Sequence, residues 1–481
     1  MPQEEGSMPK DLRTFLSAYE KAHPEDVIRI EKKIDSVYEC TAIARHFETL
    51  NKFPLILFYD VLTASREKSV FPCVINVLGD RRKLAYAIDS TFEDVAIEWR
   101  RRADESRIPP VVVSKEEAPC KERVLLGEKI NLLKLPMLKH HEMDPGHYIT
   151  AGMFTCYEPD THIDNTGLHR GFVAGPREIR CLLTPFTHGA YNLKKHEERG
   201  LPMKVAYWVG HHPAVLMGAQ TRMGYPESHY AAAGGVAQEA LRLVPSETLG
   251  DDFLVPADAE FVIEGIIQPG RRDLEGPFGE YTRYSGPQQM SPVFEVTAVT
   301  HRRGAMWHSL MVGINNNFGG TQEEGTIYSF VKKVVPQVQR VYCPVSGSGR
   351  FHAYIQIRKT MEGQGKEAIM AALTTSEMTK HVVVVDEDID IYDDRWVLWA
   401  VATRSQWDRD LVVVPGCRGG KLDPSIDGVT TTKGGIDATK PAPPARFSEK
   451  LHVPEEVMSR IRLTDFIDKS KIDGAPTTVD R

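Results

Sequence analysis

Four runs of β-branched and aromatic residues constrain this chain most: "KVAYWVG" (204–210), "AEFVIEGII" (259–267), "VFEVTAVTHR" (293–302) and "AMWHSLMVG" (305–313). Gly and Pro punctuate them, so they read as strands of a β-rich unit spanning about residues 120 to 315. A helix with small residues, "SHYAAAGGVAQEAL" (228–241), is predicted between two of them. From about residue 326 the pattern changes. "TIYSFVKKVVPQVQRV", "GKEAIMAALTTSE" and "DRWVLWAVATR" read as helices, and "FHAYIQIR", "HVVVVDEDIDI" and "DLVVVPG" as strands between them. Such alternation predicts an α/β layer domain.

Upstream, Leu12, Phe15, Leu16 and Tyr19 fall on one helical face. "VIRIEKKI" and "PLILFYDV" read as strands, and "INVLGDRRKLAYAI" as strand, turn and helix, giving a small α/β unit. "IPPVVVSKEEAPCKE" reads as a linker. In the tail, "VPEEVMSRIRL" places Pro454 just inside a helix start. The division is 1–110 (N-terminal α/β), 111–318 (β-rich), 319–440 (α/β) and 441–481 (helical tail). With 481 residues, two or three domains are expected.

The net charge of −7 and the absence of a long basic block argue against a nucleic-acid partner. An acidic substrate must then be caught by local cations. Seven scattered cysteines without a CxxC fit a reducing compartment rather than a disulfide framework or zinc ribbon. "MPQEEGSMPK" has no apolar signal core, and no apolar run approaches the roughly 18 residues of a spanning helix. The expectation is a cytoplasmic protein without a membrane partner.

Three segments carry candidate chemistry. "HIDNTGLHRGFVAGPREIRCLLTPFTHGAYN" (162–192) contains Asn165, Arg170 and His188, with Thr187 and His188 at a predicted helix N-terminus, where anions are favoured. "GYPESHYAAAGG" (224–235) puts Glu227 before the small-residue helix. Its bland role is to complement the helix dipole. Together, an Asn oxygen, a His nitrogen and a Glu oxygen suit Mn²⁺ or Mg²⁺ shared with phosphate. "LEGPFGEY" (274–281) sets Glu275 and Glu280 around a turn that can aim both carboxylates into one pocket. Two close carboxylates repel, so one holds its proton near neutral pH, and an adjacent Arg keeps the other charged. A solvated loop is the bland alternative. The three histidines of "HHEMDPGHY" fit no standard zinc spacing, "INNNFGGTQEEG" reads as a polar loop able to border a pocket, and Lys433 in "TTTKGG" reads as either a phosphate contact or surface loop.

The ordered set of Asn165, Arg170, His188 and Glu227, then "VPADAEFVIEG" running into "EGPFGEY", and finally "KGGIDAT", resembles the UbiD family over roughly residues 110–440. These are reversible decarboxylases that use prenylated FMN. The resemblance implies a UbiD-like α/β (α+β) fold, with a β-rich split-barrel flavin-binding domain beside an α/β oligomerisation domain. It implies a catalytic network of Arg170, Glu275 and Glu280, with Glu280 as proton donor and Arg170 orienting the substrate carboxylate. It implies Asn165, His188 and Glu227 as ligands of Mn²⁺ (or Mg²⁺), with K⁺ nearby. The implied flavin site is Asn165, His169, Arg170, Thr187, His188, Glu227 and Lys433.

The implied partners are a small carboxylic acid and CO₂, a flavin prenyltransferase that supplies the cofactor, and further copies in a homodimer or hexamer. The sequence departs from cinnamate-type members at "PESHYAAAGG", at His169 and at Tyr281, which suits a more polar ring. The alternatives are a flavin- or metal-binding subunit without its own activity, and a metal-dependent hydrolase.

Overall fold

The computed structural model describes residues 9–185, 187–314, 317–426 and 428–473. Helix Leu12–Ala22 starts where Asp11 accepts the Thr14 N–H, and it buries Leu12, Phe15 and Tyr19. It belongs to an N-terminal unit whose four-stranded sheet runs Val27–Ile30, Leu55–Phe58, Cys73–Ile75, Trp307–Ser309. The last strand was expected in the β-rich unit but lies parallel to Cys73–Ile75. Trp307, His308 and Ser309 are all buried, so this short run is covered on both faces and closes the N-terminal sheet. "IPPVVVSKEEAPCKE" is likewise no loose linker. Val111–Val112 pairs with Arg242 and Leu243, and the Cys120 N–H donates to the Ala257 carbonyl at 3.0 Å.

The middle of the chain forms a nine-stranded sheet. Its long members are Phe261–Glu275 and Gln289–His301, paired antiparallel. Alternate residues divide between two cores, as period-2 strands require. Val205, Tyr207, Phe261 and Ile263 face one core, and Ala206, Trp208 and Val262 face helices Pro213–Gln220 and His229–Ala237. The register slips between Glu264 and Gly265 and again between Ile267 and Arg272. A Cβ on Gly265 would lie 2.1 Å from the Glu295 carbonyl oxygen, so glycine is required at the first slip. Bulges of this kind bend a sheet, and this one curls as a split barrel.

The C-terminal domain has a five-stranded sheet in the order Val338–Tyr342, His352–Ile357, His381–Asp386, Thr430–Ala438, Leu411–Arg418. The inner pairings are parallel and the two edge pairings antiparallel. Helix Asn317–Val334 differs from its predicted extent at both ends. It ends before Pro336, which has no N–H to donate, and "QVQRV" becomes the edge strand. It begins inside "INNNFGGTQEEG", read from sequence as a loop. "TTTKGG" is strand rather than loop. In the tail, Pro454 is the N-cap of helix Glu455–Arg460 rather than its first residue. Among the described residues no helix is long and apolar enough to cross a membrane.

Candidate active site

The three units enclose a cavity of about 690 Å³. Arg170 follows strand Asp164–Leu168 and projects into it. Its Nε donates to Glu275 Oε1 at 2.8 Å and its Nη2 to Glu275 Oε2 at 2.9 Å. Its Nη1 donates to Glu280 Oε1. The turn therefore does aim both carboxylates at one cation. Glu275 ends the long strand and is fully buried. Its Oε1 also accepts the Tyr148 hydroxyl at 3.1 Å. Phe278 lies beneath the guanidinium, 4.6 Å from ring centre to Cζ. Glu280 follows a small ribbon, Phe278–Gly279 against Ser285–Gly286, and lines the cavity.

Burial pushes the Glu280 carboxyl above its ordinary range. Arg170 pulls it back, Glu275 and Asp144 push it further up, and the balance stays upward. Burial also acts against the charge on Arg170, but the two glutamates outweigh it and keep the guanidinium protonated. The arrangement is a buried, protonatable acid beside a fixed cation.

Another stretch of the cavity lining carries four of the other predicted residues. Thr187 caps helix His188–Glu198, its hydroxyl accepting the Ala190 N–H at 3.3 Å, so the predicted helix start stands one residue earlier, at His188. Asn165, His169, Thr187 and His188 all line the cavity. Burial lowers the His169 pKa to about 4, so the ring is neutral. Its Nδ1 lies 3.1 Å from the Leu182 carbonyl, which can only accept. Nδ1 therefore carries the proton and Nε2 keeps a lone pair. A Cβ placed on Gly189 would lie 3.6 Å from that Nε2 and 3.7 Å from Asn165 Oδ1, so both atoms flank the start of the helix.

Glu227 precedes Ser228, the cap of helix His229–Ala237. It does not line the cavity; its Oε2 accepts from Arg107 Nη2 at 2.6 Å. Its charge still reaches His188, opposing the downward push of burial on that ring. His229, not foreseen from sequence, lines the same wall, and burial lowers its pKa to about 3. Among the described residues no three His, Cys, Asp or Glu side chains gather as a metal cluster. Of the predicted ligand set, Asn165 and His188 line the cavity and Glu227 is held by Arg107.

Lys433 stands behind the wall. It is buried, and its ammonium donates to the Leu373 carbonyl at 3.0 Å and to the Ser376 carbonyl. It thus holds the loop that brings Thr375, Glu377 and Met378 to the cavity. Sequence reasoning also missed Tyr148, Glu323 and Arg350. Tyr148 closes "HHEMDPGHY", a segment weighed there only for zinc; Glu323 lies in "INNNFGGTQEEG", read as able to border a pocket but not singled out within it; Arg350 carries no local signal.

Family models place these features in a known context. Residues 20–102 match the N-terminal domain of 3-octaprenyl-4-hydroxybenzoate carboxy-lyase (UbiD), residues 111–315 its Rift-related domain and residues 316–438 its C-terminal domain. The anhydromevalonate phosphate decarboxylase of Methanothermobacter thermautotrophicus is 33% identical over 92% of this chain and 99% of its own length. The phenolic acid decarboxylase of Sedimentibacter hydroxybenzoicus is 30% identical, over 90% of this chain and 92% of its own. The structure of the UbiD-class enzyme HmfF from Pelotomaculum thermopropionicum in complex with FMN superposes with a TM-score of 0.87 at 38% identity, covering 95% of this chain and 100% of that one. An evolved dimeric form of HmfF in complex with prFMN gives 0.85 at 36% identity, with the same coverage. By sequence and by fold, over nearly its whole length, this chain belongs to the UbiD family of carboxy-lyases.

Proposed function

We propose that the protein is a prenylated-FMN-dependent enzyme that reversibly and non-oxidatively decarboxylates an aromatic, heteroaromatic or α,β-unsaturated carboxylic acid. The observation that carries this reading is Arg170 bridging Glu275 and Glu280 on the cavity wall. Loss of CO₂ from an sp² carbon leaves negative charge that side chains cannot delocalise, and prenylated FMN, when bound, supplies the electron sink. The residues supply position and a proton. Arg170 orients the substrate carboxylate through charge-assisted hydrogen bonds. Glu275 engages two guanidinium nitrogens and so fixes the plane in which Arg170 points. Glu280, favoured in its neutral form by burial, gives its proton to the carbon that CO₂ leaves, and takes one back in the carboxylation direction.

Asn165, His188 and Glu227 would hold Mn²⁺ or Mg²⁺, with K⁺ nearby, against the flavin phosphate. Glu227 would then exchange Arg107 for the metal. The helix beginning at His188 would turn its N-terminus to the phosphate, with the Thr187 hydroxyl capping the Ala190 N–H. His169 offers its bare Nε2, and Lys433 acts on the cofactor site through the loop it holds. All seven cysteines are free and six are buried, which suits a reducing, cytoplasmic setting. A homodimer or hexamer is the proposed assembly, and a flavin prenyltransferase the source of the cofactor.

The test is co-expression with a flavin prenyltransferase, followed by a visible spectrum, mass spectrometry of the released cofactor and a panel of acids watched for CO₂. Prenylated FMN near one per chain, with CO₂ released from at least one acid, is the expected result. A colourless protein would contradict the proposal and favour a hydrolase or a partner-dependent subunit.

A further inference from the structure

The loop carrying "HHEMDPGHY", whose three histidines fit no standard zinc spacing, touches the acid turn directly. Asp144 is buried, only 1% exposed. One of its oxygens, Oδ2, accepts the N–H groups of His140 at 3.1 Å and His141 at 2.8 Å. The other, Oδ1, reaches across 135 residues and accepts the N–H of Gly279 at 3.0 Å. Gly279 is the residue before Glu280. It has to be glycine, because a Cβ there would fall 2.2 Å from His141 Nδ1. On the far side, the Glu280 N–H donates to the Tyr284 carbonyl at 2.9 Å, and the Glu280 carbonyl accepts the Arg283 N–H at 2.9 Å. The backbone carrying Glu280 is thus held from two sides, and Asp144 is the side-chain half of that clamp.

We infer that Asp144 is a positioning residue of the reaction: it fixes Glu280 over the substrate through the Gly279 N–H and places a negative charge behind it. The inference rests on Glu280 being the proton donor. Geometry alone gives Asp144 leverage, because a displacement of about 1 Å in a reacting group costs roughly 100-fold in rate.

Its charge adds a second effect. Glu280 is faced by Arg170 from the loop before strand Gly171–Gly175, by Glu275 from the long strand and by Asp144 from behind. His141 packs on Gly279, Arg350 and Glu323 lie beyond Tyr281, and Lys421 lies across a small void. Of these, Asp144 and Glu275 favour the protonated acid and Arg170 opposes it. A proton donor fails as pH rises through its pKa. Removing the Asp144 charge lowers that pKa and moves the alkaline limb of the rate profile to lower pH.

Two variants separate the effects in the flavin-loaded enzyme. Asp144→Asn keeps the shape but loses the charge and one acceptor. It should lower kcat about 10- to 100-fold, with KM little changed, and shift the alkaline limb down. Asp144→Glu keeps the charge and moves the oxygens by one methylene. It should lower kcat and leave the limb in place. In the unmodified chain, hydrogen exchange of the Gly279 amide should be slow, a reading that needs no variant to fold. Parental kcat and an unmoved limb in either loaded variant, or Gly279 exchange as fast as in an open turn, would overturn the inference. Glu280→Gln is the control. If it is inactive while both Asp144 variants behave as the parent, only the role of Asp144 fails; if it retains full turnover, the proton-donor assignment itself fails.

Discussion

The two walls of the cavity differ in how far the chain completes them by itself. On the Glu275–Glu280 wall the charges are paired within the protein: Arg170 with both glutamates, Tyr148 with Glu275, Asp144 with Gly279. Around Asn165 and His188 the predicted ligands are not paired with one another. Asn165 and His188 line the cavity, while Glu227 is turned away to Arg107. A set of side chains that do not pair among themselves is one that a bound ligand would gather. The difference teaches a division of labour. The groups proposed to do chemistry are preorganised by the fold, which costs no reorganisation during reaction. Groups that hold a cofactor wait for it.

The comparison breaks most visibly at Arg170. Arg170→Ala should cut turnover by roughly 1000-fold or more by losing both carboxylate orientation and its hold on Glu280. It should also destabilise the fold by about 3–5 kcal/mol, because two carboxylates are left buried without their cation. CO₂ release and denaturant melts check both; a merely raised KM would confine Arg170 to binding. On the other wall, His188→Ala and Glu227→Ala should remove metal and flavin together, a larger loss than the roughly 10–100-fold typical of changes around a metal's ligands. Elemental analysis and the visible spectrum measure this, and normal flavin loading would refute the ligand set.

A subtler probe is pH. Glu280 is held above the usual carboxylate range by burial, and the acid form is the donor, so decarboxylation should fall as pH rises through that raised value. Turnover that instead climbs with pH across this range would assign the limiting group elsewhere. The smallest effect is expected at Lys433. Lys433→Met should cost about 1–3 kcal/mol of stability by leaving the Leu373 and Ser376 carbonyls unpaired, with flavin content unchanged. Loss of flavin at unchanged stability would instead place Lys433 on the cofactor.

Much of this was legible in the sequence where the information is local. The β-branched and aromatic runs "KVAYWVG" and "AEFVIEGII" are strands as read, and the helix expected at about Gly189 begins one residue earlier, at His188. The Glu275–Glu280 turn announces its own shape. Long-range partners were not legible from spacing. Arg170 lies 105 residues before Glu275, and only the resemblance to a family joined them. Trp307–Ser309 reads as one more strand because an apolar run does not name its neighbour; the neighbour proved to be 234 positions upstream, at Cys73. Asp144 was invisible for a different reason. It acts through a backbone N–H, and backbone partners leave no mark on residue type.

The most direct test of the central claim is single-turnover decarboxylation by flavin-loaded Glu280→Gln in D₂O. The parent should place one solvent deuterium on the carbon that lost CO₂. The variant, with flavin bound at the parental level, should release product at least roughly 100-fold more slowly. If the loaded variant delivers deuterated product at the parental rate, Glu280 is not the donor, and the Arg170-bridged carboxylates are a structural lock rather than a proton device.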